Sequence, residues 1–302
     1  MKILVTGGTG LIGSNLTRKL QDEEHNVLIT GSDVTLRAPW FKGKCLYPSF
    51  IGLNWDDIGK VDILFHQAAI NETTLLDKTE MFRANVESSK KLFEHAIKQG
   101  CKRIVYASST AIYGNEPAPY IEGITKLTPL NPYAESKIAL ERTAHELNKN
   151  HLDVIFVGLR YCNIYGPGER FKGKRASMIL QIAKQMKTGN PKLFKYGEQK
   201  RAYQYVEDTI QANILAAKAK QSCIVNCGTD KPTSFNEIVK ILNKVLGLQR
   251  APEYIDNPIK DRYQTFIQCD MTQAKEKIGF IPHIDIETGI KKYHNSGELL
   301  AN

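Results

Sequence analysis

Tyr133 and Lys137 lie four residues apart in Tyr133-Ala134-Glu135-Ser136-Lys137, a spacing that puts both on one face of a helix. A phenol titrates near about 10 in water. A neighbouring ammonium, joined by the positive ring of an oxidised nicotinamide, favours the phenolate and draws that value toward neutrality. Tyr133 could then take a proton from a sugar hydroxyl while hydride leaves the same carbon. Upstream, Tyr106-Ala107-Ser108-Ser109-Thr110 brings hydroxyls to the end of an apolar run, and Ser109 could hydrogen-bond a carbonyl oxygen as charge develops on it. A solitary Tyr-x-x-x-Lys is common and ordinarily a surface pair. Here it follows a glycine-rich turn and a serine-bearing strand, and chance no longer accounts for the set.

That turn is Thr6-Gly7-Gly8-Thr9-Gly10-Leu11-Ile12-Gly13. Gly7, Gly10 and Gly13 fit G-x-x-G-x-x-G, which permits a tight turn and close backbone approach to a pyrophosphate. The helix N-terminus beginning at Leu11 and Ile12 would face the phosphates. A carboxylate usually ends the second strand of such a unit, bonding the adenosine ribose and repelling a 2′-phosphate. Here the sequence is Thr30-Gly31-Ser32-Asp33, with Arg37 shortly after. Gly31 occupies the acidic position, so the arrangement leans toward NADP over NAD, with Ser32 and Arg37 as phosphate contacts. The competing reading has Asp33 as the ribose acceptor and Arg37 solvated.

These residues need a scaffold. Apolar, β-rich runs at Lys2–Thr6, Asn26–Thr30, Val61–His66, Lys102–Ala107 and Asp153–Gly158 alternate with helical patterns at Leu11–Gln21, Thr79–Gln99 and Pro132–Asn150. Strands apolar on both faces and alternating with helices predict an α/β fold with a parallel, doubly wound sheet of the Rossmann type. Beyond Gly166-Pro167-Gly168 the alternation loosens into a helix at Ala176–Thr188, a strand at Tyr203–Val206, a helix at Thr209–Lys218 and a strand at Cys223–Cys227. The expected division is a dinucleotide-binding domain over 1–165 and 200–228, and a smaller α+β substrate lobe over 166–199 and 229–302.

Composition narrows the class without naming it. The 302 residues are 42% hydrophobic and 24% charged, with a net charge of +9. Wholesale disorder and disulfide-stapled miniproteins are excluded. No apolar run approaches the roughly 18 residues of a membrane span. Six cysteines without a CxxC pair read as reduced core residues in the cytoplasm, and they offer no metal site. Ten of the basic residues fall between Gly168 and Gln204, against two acids. A polyanion groove, a small anionic substrate and a solvated face all fit that stretch. It lacks the aromatic platform that single-stranded RNA binding uses, which favours a partner other than nucleic acid.

Together, Thr6 to Gly13, His66-Gln67-Ala68-Ala69, Asn85, Ser108 to Gly114, Tyr133 to Lys137 and Arg160-Tyr161-Cys162-Asn163-Ile164-Tyr165-Gly166-Pro167 resemble the extended short-chain dehydrogenase/reductase family of NAD-dependent epimerases and dehydratases. The resemblance covers essentially the full length. It implies Tyr133 as base, Lys137 as its partner and Ser109 as the catalytic hydroxyl. It further implies Ala68 and Asn85 along the cofactor, and Asn163 beside the substrate phosphates. Dehydratases of this family carry an Asp-Glu pair after the hydroxyl, where this chain has Thr110 and Ala111.

Two segments, Tyr165 to Met178 and Arg262-Tyr263-Gln264-Thr265-Phe266-Ile267-Gln268-Cys269-Asp270, resemble the branch that epimerises ADP-activated heptoses at C6. This implies Lys172 as a second base, and Ser177, Arg201, Arg262 and Tyr263 as substrate ligands. Guanidinium groups suit a diphosphate. The chain departs from that branch at Gly31, at Gly52 and in the basic Gly173-Lys174-Arg175. The expected partner is a nucleotide-diphosphate sugar, ADP-heptose foremost, acted on by a cytoplasmic homo-oligomer. A UDP-hexose 4-epimerase or another nucleotide-sugar oxidoreductase is the alternative, and it requires Tyr133, Lys137 and Ser109 but not Lys172.

Overall fold

In a computed structural model, residues 1–46, 53–71, 77–258 and 264–301 are described. β1 (Lys2–Thr6) is the hub of a seven-stranded, all-parallel sheet. To one side lie β2 (Asn26–Thr30) and β3 (Cys45–Leu46). To the other lie β4 (Ile63–His66), β5 (Arg103–Ser109), β6 (Ile155–Tyr161) and, at the edge, β10 (Cys223–Cys227). The intervening β7 (Asn163–Tyr165), β8 (Lys192–Phe194) and β9 (Lys200–Tyr205) lie outside this sheet.

Alternate side chains of the strands serve opposite faces. Ile3, Val5, Phe65 and Val105 pack with α1 (Leu11–Asp22) and, later in the chain, α7 (Val206–Ala216). Leu4, Leu64 and Ile104 pack instead with α4 (Ser88–Lys98) and α5 (Pro132–Asn150). Burial on both faces is why the runs lack polar alternation. Chain order reverses at β1, between β2 and β4, so a crevice opens beyond their carboxyl ends, where open α/β sheets take ligands.

Between these elements lie the short α2 (Val34–Arg37) and α3 (Lys78–Phe82), and a π-helical stretch, Arg83–Glu87, joins α3 to α4. The helix expected over Thr79–Gln99 is thus present with an internal irregularity. α5 keeps its expected limits, and its start is written locally. The Asn131 side chain accepts the Ala134 N–H at 3.0 Å, and Pro132 sits in the first turn, where its missing N–H costs nothing.

Later in the chain come α6 (Met178–Thr188), α8 (Phe235–Leu246), α9 (Thr272–Ile278) and α10 (Ile286–Asn295). With them are β11 (Pro232–Ser234) and β12 (Glu253–Ile255), the latter pairing with β8. β9 forms a three-stranded sheet with β7 and β11, while α7 returns to pack on α1. Several expected limits shift, β6 for instance running over Ile155–Tyr161 where Asp153–Gly158 was expected. The strand expected over Tyr203–Val206 begins at Lys200, and the helix expected from Thr209 begins at Val206, after the extended Tyr205 and with Glu207 and Asp208 in its first turn.

Candidate active site

The turn after β1 brings three stretches of backbone into contact. Gly7 has φ +69°, and a Cβ there would lie 2.9 Å from the Ala68 nitrogen beyond β4. At Gly13 a Cβ would fall 2.1 Å from the Gly7 carbonyl oxygen. No L side chain fits there, so the first turn of α1 rests directly on the loop and leaves backbone exposed to the crevice, a cradle suited to a pyrophosphate. The Gly10 N–H donates to the Gly7 carbonyl at 2.9 Å, closing the turn. At the end of β2, a Cβ on Gly31 would lie 2.4 Å from Thr9 Oγ1. Thr9 fills the space a carboxylate would need.

A cavity of about 400 Å³ opens on this turn. Gly7, Gly10, Leu11, Ile12, Gly13, Ser32, Arg37 and Ala68 line it on the turn side. Ser109, Tyr133, Lys137 and Lys172 also line it. Residues distant in sequence therefore share one cavity, which unites the dinucleotide turn with the groups suited to proton transfer.

Ser109 ends β5, and its Oγ accepts the Ala111 N–H at 3.1 Å. Its hydrogen bond to Tyr133 lowers the phenol's pKa, but burial raises it more, so the net shift is upward from the ordinary value. Lys137 does not lower the phenol on its own; the expected draw toward neutrality joins its charge with that of the oxidised nicotinamide ring. Lys137 is 1% exposed, donates from Nζ to the Ala107 carbonyl at 2.8 Å, and lies 5.8 Å from the centre of the Tyr133 ring. Burial lowers its pKa to about 8, opposed by Glu141 one turn further along α5. Lys172, on the 3₁₀ stretch Glu169–Arg175, is also lowered by burial, with Glu169 opposing and Arg175 reinforcing.

A model of the NAD dependent epimerase/dehydratase family matches residues 3–228. The chain belongs to that family. It is 31% identical over 314 aligned positions to an ADP-L-glycero-D-manno-heptose-6-epimerase of Brachyspira hyodysenteriae, covering 96% of each chain. Among solved structures it is similar to the ADP-L-glycero-D-manno-heptose-6-epimerase of Helicobacter pylori, with a TM-score of 0.87 and 34% identity over 98% of this chain and 95% of the other. It is also similar to the UDP-glucose 4-epimerase of Thermotoga maritima solved with UDP-glucose, with a TM-score of 0.89 and 26% identity over 98% and 99%.

Other expected residues of this family member lie outside the cavity lining. Asn85, 1% exposed in the π-helical stretch, accepts the Ile70 N–H at 2.8 Å and donates to its carbonyl at 2.9 Å. Its amide holds the loop carrying Ala68, one step removed from the expected place along the cofactor. Ser177 caps α6 by accepting the Leu180 N–H at 3.2 Å and donates its hydroxyl to Glu169 at 2.9 Å. Those bonds explain why the helix expected from Ala176 begins at Met178. Asn163 lies on β7, opposite Tyr203 of β9. Arg201, 6% exposed on β9, has its guanidinium 5.8 Å from the Phe235 ring centre. Arg262, Tyr263 and Gly52 fall outside the described residues.

A buried network stands behind the cavity. Glu141, 5% exposed, accepts from Arg160 at 2.8 and 2.9 Å and from Ser108 Oγ at 2.6 Å. Arg160 also donates to the Tyr113 hydroxyl at 2.7 Å. Glu141 has a readable signal, since Tyr133, Lys137 and Glu141 recur every four residues along one helix. His66 bonds Thr6 Oγ1 at 2.7 Å and Ser89 Oγ at 2.8 Å, and burial holds its pKa at about 3. It is a neutral structural group joining β1, β4 and α4.

Proposed function

We propose that this family member epimerises a nucleotide-diphosphate sugar, ADP-glycero-manno-heptose at C6, by transient oxidation of that carbon. The observation carrying the reading is the shared cavity. Tyr133 and Lys172, two groups able to move protons, line it together with the dinucleotide turn. The likeness to ADP-heptose 6-epimerases of two organisms supports the substrate class.

The residues fit a nicotinamide dinucleotide, since added Cβ atoms would fill the cradle at Gly7 and Gly13. A nicotinamide held there would supply reversible hydride acceptance at the sugar carbon, so that the hydride could return to either face. Tyr133 accepts the hydroxyl proton on one face, with Lys137 supplying positive charge beside it. Ser109 donates to the carbonyl oxygen as it forms. Lys172, whose burial favours the neutral amine, gives and takes the proton on the other face. Arg201 would grip the diphosphate together with Arg262, and Asn163, Ser177 and Tyr263 belong to the same substrate reading. The lobe over 166–199 and 229–302 would hold the sugar, against a dinucleotide-binding part over 1–165 and 200–228, with β9 shared between them.

NADP is favoured over NAD. Thr9 occupies the space next to Gly31, and Arg37 brings to the cavity a guanidinium whose buried Nε makes no hydrogen bond. Asp33 lies 3.8 Å from that Nε, with its side chain 58% exposed, too solvated to set the preference alone. A cytoplasmic homo-oligomer completes the reading. The alternative, a UDP-hexose 4-epimerase, draws on the likeness to the Thermotoga enzyme.

The test is NMR of the products from ADP-heptose and from UDP-glucose, with mass spectrometry of the cofactor that copurifies. The expected result is inversion at heptose C6 with no added cofactor. Tyr133→Phe and Lys172→Met should each lower kcat by about a hundredfold or more. Unchanged turnover by Lys172→Met, together with inversion of UDP-glucose, would establish the hexose reading instead.

A further inference from the structure

The stretch carrying Lys172 is fastened at both ends. Asn15 of α1 donates to the Pro167 carbonyl at 2.8 Å, and Glu298 accepts the Gly168 N–H at 2.8 Å. The Glu169 carboxylate, 0% exposed, accepts the Ser177 N–H at 2.8 Å. At the far end Arg175 donates to Asn71 Oδ1, on the loop beyond β4, at 2.8 Å.

Between these anchors sits Phe171, which also lines the dinucleotide cavity. Two guanidinium groups crowd its ring, Arg170 at 4.6 Å and Arg37 at 5.4 Å from the ring centre. Each has a buried Nε that makes no hydrogen bond. Arg37 pairs with Asp33 at 3.8 Å, and Lys172 feels the charge of Glu169, whereas among the described residues no carboxylate comes within ion-pair distance of Arg170. A ring face attracts each cation separately, but it does not neutralise several gathered around it. That arrangement suits an anion, and a dinucleotide in this cavity would bring its adenosine end to Ser32 and Arg37, which line it.

We propose that Phe171 is a positioning residue. Its ring joins the guanidinium that reads the adenosine end of the cofactor to the backbone that carries Lys172, so occupancy at one end of the cavity sets the second proton-transfer group at the other. Arg37 is the hinge of this coupling and Phe171 its transmitting contact. The link to Lys172 rests on the proposed function. The ring contact and its effect on cofactor release do not.

The experiment is a double-mutant cycle on the full chain, following release of NADPH, and of NADH in parallel, by nicotinamide fluorescence. Phe171→Leu keeps an apolar side chain and removes the ring, Arg37→Met removes the cation, and Phe171→Tyr restores an aromatic face. Phe171→Leu should speed NADPH release by about tenfold, and Arg37→Met by more, since it also removes the phosphate contact. The double variant should be little faster than Arg37→Met alone, because the ring contact is already lost in it, and Phe171→Tyr should release cofactor like the parent. In turnover, Phe171→Leu should lower kcat by about tenfold with KM for ADP-heptose unchanged, and Phe171→Tyr should recover it.

Multiplying effects in the double variant, unchanged release from Phe171→Leu, or a parent that binds neither cofactor would overturn the proposal. Failure of every variant and the parent to epimerise any sugar, with the release cycle as expected, would sink the proposed reaction and spare the Arg37–Phe171 coupling. A normal cycle with kcat unaffected in Phe171→Leu would overturn the transmission to Lys172.

Discussion

Lys137 combines full burial with a single hydrogen bond, from Nζ to the Ala107 carbonyl at 2.8 Å, and two consequences follow. Burial disfavours the ammonium and brings its pKa from 10.5 to about 8, with Glu141 resisting. Between those values the unfolded chain holds a proton that the folded chain has lost. This group therefore costs stability below pH 8, and the cost is relieved as pH rises from about 8 toward 10.5. Activity moves the other way, because loss of the ammonium removes the positive charge beside Tyr133. We expect kcat to decline above about pH 8. Lys137→Arg, charged throughout that range, should run at least tenfold slower and lack the decline. A pH profile of kcat from 6 to 10 decides it, and an identical alkaline limb in the variant would assign the titration to another group. At this scale the sequence was informative: the Tyr133–Lys137 spacing and the hydroxyl of Ser109 were readable, because helical periodicity and strand ends are local properties. The contact of Arg37 with Phe171 was not, because it joins residues far apart in sequence that meet only in the folded cavity.

Elements fix how near those residues come. β1, β2, α5 and β10 were legible to their limits, since apolar runs ending in turn or cap residues signal themselves. β7 and β9 were harder. β7 has three residues, and β9 opens on Lys200 and Arg201, whose charge hides the strand start that pairing with β11 defines. The π-helical stretch at Arg83–Glu87 has no local signature, yet it contains the Asn85 amide that grips Ile70. The turn from β1 to α1 offers a direct prediction. Gly13→Ala puts a methyl 2.1 Å from the Gly7 carbonyl oxygen, and both groups are backbone-held, so the turn or the helix must shift. Purified Gly13→Ala protein should retain less than about a tenth of the parent's bound cofactor. Retention at parental level by mass spectrometry would mean that the cradle lies elsewhere.

Across the whole molecule, charge and burial divide the work. Of the ten basic residues between Gly168 and Gln204, only Arg170, Lys172 and Arg201 are held in part or fully within the protein; Lys174, Arg175, Lys184, Lys187, Lys192, Lys195 and Lys200 face solvent. The net charge of +9 is thus mostly a solvated surface, with a few cations turned inward. Buried charge has a larger structural role at Glu141 and Arg160, whose side chains are 6% and 8% exposed. From them hydrogen bonds pass through Tyr113 to Asn226 of β10 at 2.9 Å, and Asn226 donates onward to the Tyr120 carbonyl at 2.9 Å. The Tyr120 N–H in turn reaches the Gln268 carbonyl at 2.8 Å, so one network ties the central sheet to the C-terminal segment that carries Gln268. Glu141→Ala strands Arg160 without its carboxylate and leaves Ser108 without its acceptor. Breaking a buried pair from one side costs about 3–5 kcal/mol, which should lower the midpoint of thermal unfolding by roughly 10 °C in a chain of this size. The same variant removes the charge that opposes the downward shift of Lys137, so the alkaline decline of kcat should begin at lower pH. Glu141→Gln, which keeps the shape and part of the hydrogen bonding, should recover some of the stability but leave the pH shift. A Glu141→Gln profile coincident with the parent's would show that Glu141 acts through packing alone.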